Sequence, residues 1–246
     1  MPRFGRDLHS AAVHTSAIKS RAIARQNAIR TPRAAAIAGI VFAVLMGTTQ
    51  ILVNLAIPET SDDVGEWIND ENRRRAVAIA LNLLPFAGIA FLWFIGVVRD
   101  RIGENEDRFF ATVFLGSGLL FVAMLFCTGA VAAGLLVSPD SGAVPPDDSV
   151  WSYGRRVTGS LLSVYAMRMS AVFMISTTTL TVRLGLVPRW IVLFGYSGAL
   201  VMLVTTGWLE YTDLIFPIWV LCLSVHMLRA SLHREDSDAG PSTDAL

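Results

Sequence analysis

The residues best suited to chemistry are polar groups set in apolar sequence. The stretch Val164–Ile175, VYAMRMSAVFMI, carries Arg168 at its centre. An arginine presents a permanent charge and five N–H donors in a planar fork, a shape that suits carboxylate and phosphate. At the middle of a lipid-embedded helix it costs about 2.5–3.5 kcal/mol, so a segment that keeps one has a reason. Tyr165 precedes it by one helical turn on the same face. Gln50 and Asn82 each lie roughly 10–12 Å inside their helix ends, and Asn54 shares a face with Gln50 at i+4. Helical side chains lean toward the N-terminus, which carries the guanidinium of Arg168 toward those amides.

Two readings of this group follow. In one, Arg168 hydrogen-bonds to Gln50, Asn54 or Asn82 and to carbonyls freed near Pro85, pinning three helices together. In the other, the counter-charge comes from an anionic lipid headgroup or a small anion. No Asp or Glu lies within the apolar segments, Asp213 standing at the very first position of the last one. That argues against a conventional proton- or sodium-coupled pump, which places carboxylates there.

A second pattern is hydrolytic. Gly195-Tyr-Ser-Gly198 fits the GxSG motif of rhomboid-type intramembrane serine proteases, with His226 on the last apolar segment as the candidate base. The departures are that Ser197 falls on the fifth segment rather than the fourth, near the wrong face, and that small residues around His226 are missing. No metal-ligand spacing of His, Cys, Asp or Glu occurs, and no cofactor is implied. Cys127 and Cys222 sit in apolar runs and read as buried thiols.

These residues need helices to hold them, and the composition supplies apolar ones. The 246-residue chain is 53% hydrophobic and 16% charged, with zero formal net charge and a mean hydropathy of +0.54. Nothing globally basic points to nucleic acid. The expected fold class is all-α, an integral membrane bundle of six transmembrane helices at about 34–57, 76–98, 109–137, 157–182, 190–209 and 213–229. A basic arm, 1–33, precedes the bundle and a tail, 230–246, follows it. The arm lacks a signal-peptide cleavage site, so the first apolar run is expected to be retained. Its stretch 17–30 also suits an amphipathic helix on anionic lipid.

Charge sets the expected orientation. With both termini inside, fourteen Lys and Arg face the cytoplasm, against Arg73, Arg74, Arg75, Arg155 and Arg156 outside. The positive-inside rule therefore gives N-in, C-in at the plasma membrane. The outer loops are acidic, with Asp62, Asp63, Glu66, Asp70 and Glu71 before the second span, but they lack the spacing of a calcium loop. The inner 99–108 loop, rich in both charges, is a candidate contact for a protein partner.

Two longer segments carry a resemblance. VRDRIGENEDRFFATVFLGSGLLFVAMLF (98–126) and YGRRVTGSLLSVYAMRMSAVFMISTTTL (153–180) resemble a group of uncharacterised multi-pass membrane proteins from actinobacterial-type genomes. The likeness implies a bacterial plasma membrane and transfers no activity. Within the chain, 62–120 and 147–200 also look alike, each passing from paired aspartates through tryptophan and arginines into a span. A duplicated hairpin and a shared membrane-protein habit both account for that.

Overall fold

A computed structural model describes residues 33–53, 70–102, 108–135, 148–185, 187–205 and 212–238. The arm before Arg33, Asn54, the acidic stretch 59–66, residues 103–107 and the tail beyond 238 lie outside the described residues. Among the described residues the structure is all-helical, with no strand.

The elements are α1 (Arg33–Val53), α2 (Glu71–Ile102), α3 (Arg108–Leu135), α4 (Asp148–Gly159), a π-helical turn (Ser160–Ala166), α5 (Met167–Arg183), α6 (Arg189–Val204), a 3-10 turn (Thr212–Leu214) and α7 (Ile215–Asp238). α4, the π-turn and α5 run on as one rod. Among the described residues five stretches are long and apolar enough to cross a membrane: Arg33–Val53, Glu71–Arg99, Ala111–Leu135, Ser149–Arg183 and Thr212–His233. α6, apolar but 16 residues long, is shorter.

Local chemistry fixes the helix ends. Asp70 caps α2, its Oδ1 accepting the backbone N–H of Asn72 at 2.9 Å and of Arg73 at 3.3 Å. α5 stops at Gly185, whose φ of +62° is the left-handed cap conformation that glycine adopts without a Cβ penalty. Pro188 then opens α6 in an extended conformation, and its carbonyl accepts the N–H of Ile191 at 3.1 Å.

Glycines set which helices meet. Leu84 of α2 packs over Gly129 of α3, Phe126 over Gly88, and Ile95 over Gly118. Leu135 packs over Gly154, and Phe173 over Gly118, joining α3 to the α4–α5 rod. Thr178 and Met174 of α5 face Gly195 and Gly198 of α6, which Trp219 and Ile215 of α7 also cover. Ser224 of α7 and Phe94 of α2 close on Gly39 of α1. Taken with Phe42 against Phe91 and Phe216, these contacts show the residue numbers rising on one helix as they fall on its neighbour, so neighbours are antiparallel. The six rods therefore form a closed ring in chain order. The end where α2 begins is called upper below, and the end where α6 begins lower.

Phenylalanine fills the centre of that ring. Phe42, Phe91, Phe121, Phe173 and Phe216, from α1, α2, α3, α5 and α7, are all fully buried. Phe91 touches the other four with ring centroids 4.6–5.5 Å apart. Most are tilted or edge-to-face, the arrangements the ring quadrupole favours.

Two boundaries differ from the sequence expectation. The fourth apolar rod begins at Asp148 rather than near 157, because Gly154 lets α4 lie against Leu135 and Trp151 packs against Val77 of α2. The start of α7 lies deeper than expected. Phe216 reaches the central layer, so Asp213, three residues before it, is about one turn above the middle of the bundle. The expectation that every carboxylate stays out of the apolar interior is therefore corrected at Asp213, which is half-buried. Sequence alone hid this because the turn before α7 is drawn into the ring instead of ending at its rim.

Candidate functional site

Arg168 is the second residue of α5, directly after the π-turn, and is half-buried. The π-turn is marked by the N–H of Met167 bonding to the carbonyl of Leu162, five residues back. Such single-turn insertions shift the faces of a helix and recur at functional sites. Here the shift divides an amphipathic segment, α4, from an apolar one, α5, and Arg168 stands at the junction. Its backbone is about 7 Å above Phe173 and the central layer.

The other predicted members are placed as follows. Gln50 is 5% exposed, and both its Nε2 and Oε1 are buried with no hydrogen-bond partner among the described residues. Beside it, Thr49 Oγ1 donates to Leu45 O at 2.9 Å and approaches Ala80 O at 3.5 Å, tying α1 to α2. Asn82 is exposed, and its Nδ2 donates to Ala78 O of its own helix at 2.8 Å. Ala80, two residues before Asn82, is fully buried on the α1 side, so Asn82 faces the opposite wall of α2. Tyr165, within the π-turn, is 57% exposed. Gln50 and Arg168 thus occupy the upper half of the bundle, while Asn82 and Tyr165 look outward from it.

The structure adds a second polar zone below the phenylalanine layer. Ser176, Thr179 and Thr181 donate to carbonyls of their own helix at 2.8–2.9 Å, as hydroxyls inside helices commonly do. Thr179 also bonds Tyr196 at 2.9 Å. Thr177, Thr178, Trp219 and Ser224 bury polar atoms that have no partner among the described residues. Thr178 Oγ1 and Trp219 Nε1 converge on Gly195. The run of hydroxyls was visible in sequence; its meeting with a buried indole N–H across a glycine was not.

The hydrolytic pair is not brought together. Gly195 is level with Trp219, so Ser197 lies above that level and His226 below it, about 13 Å apart along the axis. Ser197 is exposed, and its Oγ donates to Leu193 O at 2.8 Å. Gly195 and Gly198 are both occupied as packing surfaces. The GxSG pattern here serves helix contact.

Among the described residues no group of three His, Cys, Asp or Glu is arranged to hold a metal. Cys222 is half-buried, whereas Cys127 is exposed on the outer wall of α3 rather than buried. Comparison of the chain with protein-family models, with curated proteins and with solved structures returns no match.

Proposed function

We propose that the chain is a six-span, N-in/C-in protein of a bacterial plasma membrane that binds an anionic lipid headgroup, or a small anion of like chemistry, at Arg168. The observation that carries this reading is the arginine's position: half-buried, just past a π-turn, inside a membrane-length rod, with a buried amide at Gln50 in the same half. Guanidinium has donors enough to hold a protein group on one edge and a phosphate on another. Tyr165, Arg155 and Arg156 are exposed on the rod above it, toward the proposed headgroup level. Five interlocked phenyl rings across the centre favour binding over conduction, since a path along the axis would have to part them.

The second reading is a non-catalytic scaffold or accessory subunit, with the 99–108 loop as its contact. It is favoured by the way Asn82, Ser176, Thr181 and Ser197 spend their hydrogen bonds on their own helices. Thermal unfolding in mixed micelles separates the two. Under the binding reading, phosphatidylglycerol raises Tm more than phosphatidylcholine does, because a ligand that binds only the folded state stabilises it. Arg168→Leu removes that difference. A scaffold shows equal shifts with both lipids and with the variant.

A further inference from the structure

A cleft of ≈ 470 Å³ opens sideways between α2 and α3 in the upper half. It runs from Ala78 to Pro85 on one wall and from Phe126 to Ala133 on the other, about 10 Å along the axis. Its size falls in the range of about 300–1,000 Å³ typical of small-molecule sites. Ala130 and Ala133, both exposed, leave the room, and the close crossing at Gly129 and Gly88 closes the lower end.

We propose that this cleft seats one acyl chain of a glycerophospholipid, with the ester group at Asn82. The inference rests on the membrane embedding proposed above and is independent of Arg168. Three observations select that occupant. The first is polarity at one place only. Pro85 has no N–H, so the carbonyl of Leu81 loses its helical donor, and Leu81 lines the cleft. Asn82 beside it uses one N–H on Ala78 O and retains a second for an ester carbonyl.

Depth is the second. Asn82 lies nine residues, about 13 Å, above Phe91 and seven residues, about 10 Å, below Arg75. The amide therefore stands between the phenylalanine layer and the arginines, on the upper course of an acyl chain toward its ester. The third is charge. Arg74 and Arg75 lie two turns further up the same helix face as Ala78 and Asn82, at headgroup level. Arg75 pairs with Glu71 at 2.6 Å on an exposed surface, a contact weak enough to share with a phosphate.

The test uses the full chain in phosphatidylethanolamine vesicles doped with phosphatidylglycerol bearing a diazirine on its acyl chain. After irradiation, adducts are expected to concentrate on residues 78–85 and 126–133. Ala130→Phe, which fills the cleft from an exposed position, lowers that labelling ~tenfold, a change of about 1.4 kcal/mol in occupancy. Leu120→Phe, exposed on α3 outside the cleft, leaves it unchanged. Should Ala130→Phe fail to fold, Asn82→Leu is expected to shift the adducts along the cleft. Labelling spread evenly over Leu119, Leu193 and Leu200, or unaltered in the filled variant, overturns the proposal. Arg168→Leu keeps the cleft adducts, so failure at one site is read separately from failure at the other.

Discussion

Phe91 and Phe216 meet edge-to-face at the centre of the bundle, with ring centroids 5.5 Å apart and planes at 77°. The contact joins the second helix to the last, and Phe42, Phe121 and Phe173 complete it. This layer divides an upper polar zone, with Arg168 and Gln50, from a lower one around Thr178 and Trp219. Phe91→Ala removes the ring touching all the others and is expected to cost about 3–5 kcal/mol. Unfolding in detergent micelles measures it. A loss below about 1 kcal/mol would mean the layer is not packed as described.

Glycine substitutions test the ring of helices. A methyl at Gly195 overlaps Thr178 Oγ1 and comes within 2.9 Å of the rigid Trp219 indole, whereas at Gly47 it meets nothing within 4 Å. Gly195→Ala is expected to lower stability by about 1–3 kcal/mol through overpacking. Gly47→Ala should be neutral or gain about 0.5–1 kcal/mol from better helix propensity. Melting curves of the two variants check the contrast, and equal effects would argue against the α5–α6–α7 contact.

Gln50 provides a test of the buried amide. Without a partner among the described residues, its side chain is a desolvation cost, and Gln50→Leu should recover about 1–3 kcal/mol in ligand-free micelles. If phosphatidylglycerol engages the amide, the same variant narrows the lipid-induced rise in Tm. A destabilised variant in ligand-free micelles would show that Gln50 already holds a partner.

Serine chemistry at Ser197 is expected to be absent. Fluorophosphonate probes should leave Ser197 unlabelled, and Ser197→Ala should change stability by less than about 0.5 kcal/mol, as exposed substitutions generally do. Labelling that disappears in the variant would reverse this.

Much of the architecture was legible because apolar length and helix period are strong signals. The all-helical class and five membrane-length helices agree with the apolar runs in the sequence. What escaped was depth and direction. Asp213 looks like a rim residue until Phe216 is seen to reach the central layer. Asn82 matches Gln50 in depth, yet it faces the other wall of α2, since depth along a helix says nothing about azimuth. The π-turn left no mark, because Ser160–Ala166 differs little in composition from the helices on either side. Gly195 and Gly198 suited both a nucleophile motif and a helix crossing, and only their neighbours Thr178, Trp219, Met174 and Ile215 distinguish the two.

Orientation can be tested without ligand. Single cysteines at Arg6 and at Ser237, in a background lacking Cys127 and Cys222, should react with a membrane-impermeant maleimide only after cells are opened. A cysteine at Ser61 should react in intact cells. Any inversion of that order contradicts the N-in/C-in arrangement.

The most direct test of the account is native mass spectrometry of the purified full-length protein and its Arg168→Leu variant, each released from micelles containing phosphatidylglycerol. The account predicts a bound phosphate-bearing species in the wild type that falls ~tenfold in the variant, while the species held at the α2–α3 cleft persists in both. Equal retention of every bound anion by the two proteins would contradict a binding role for Arg168.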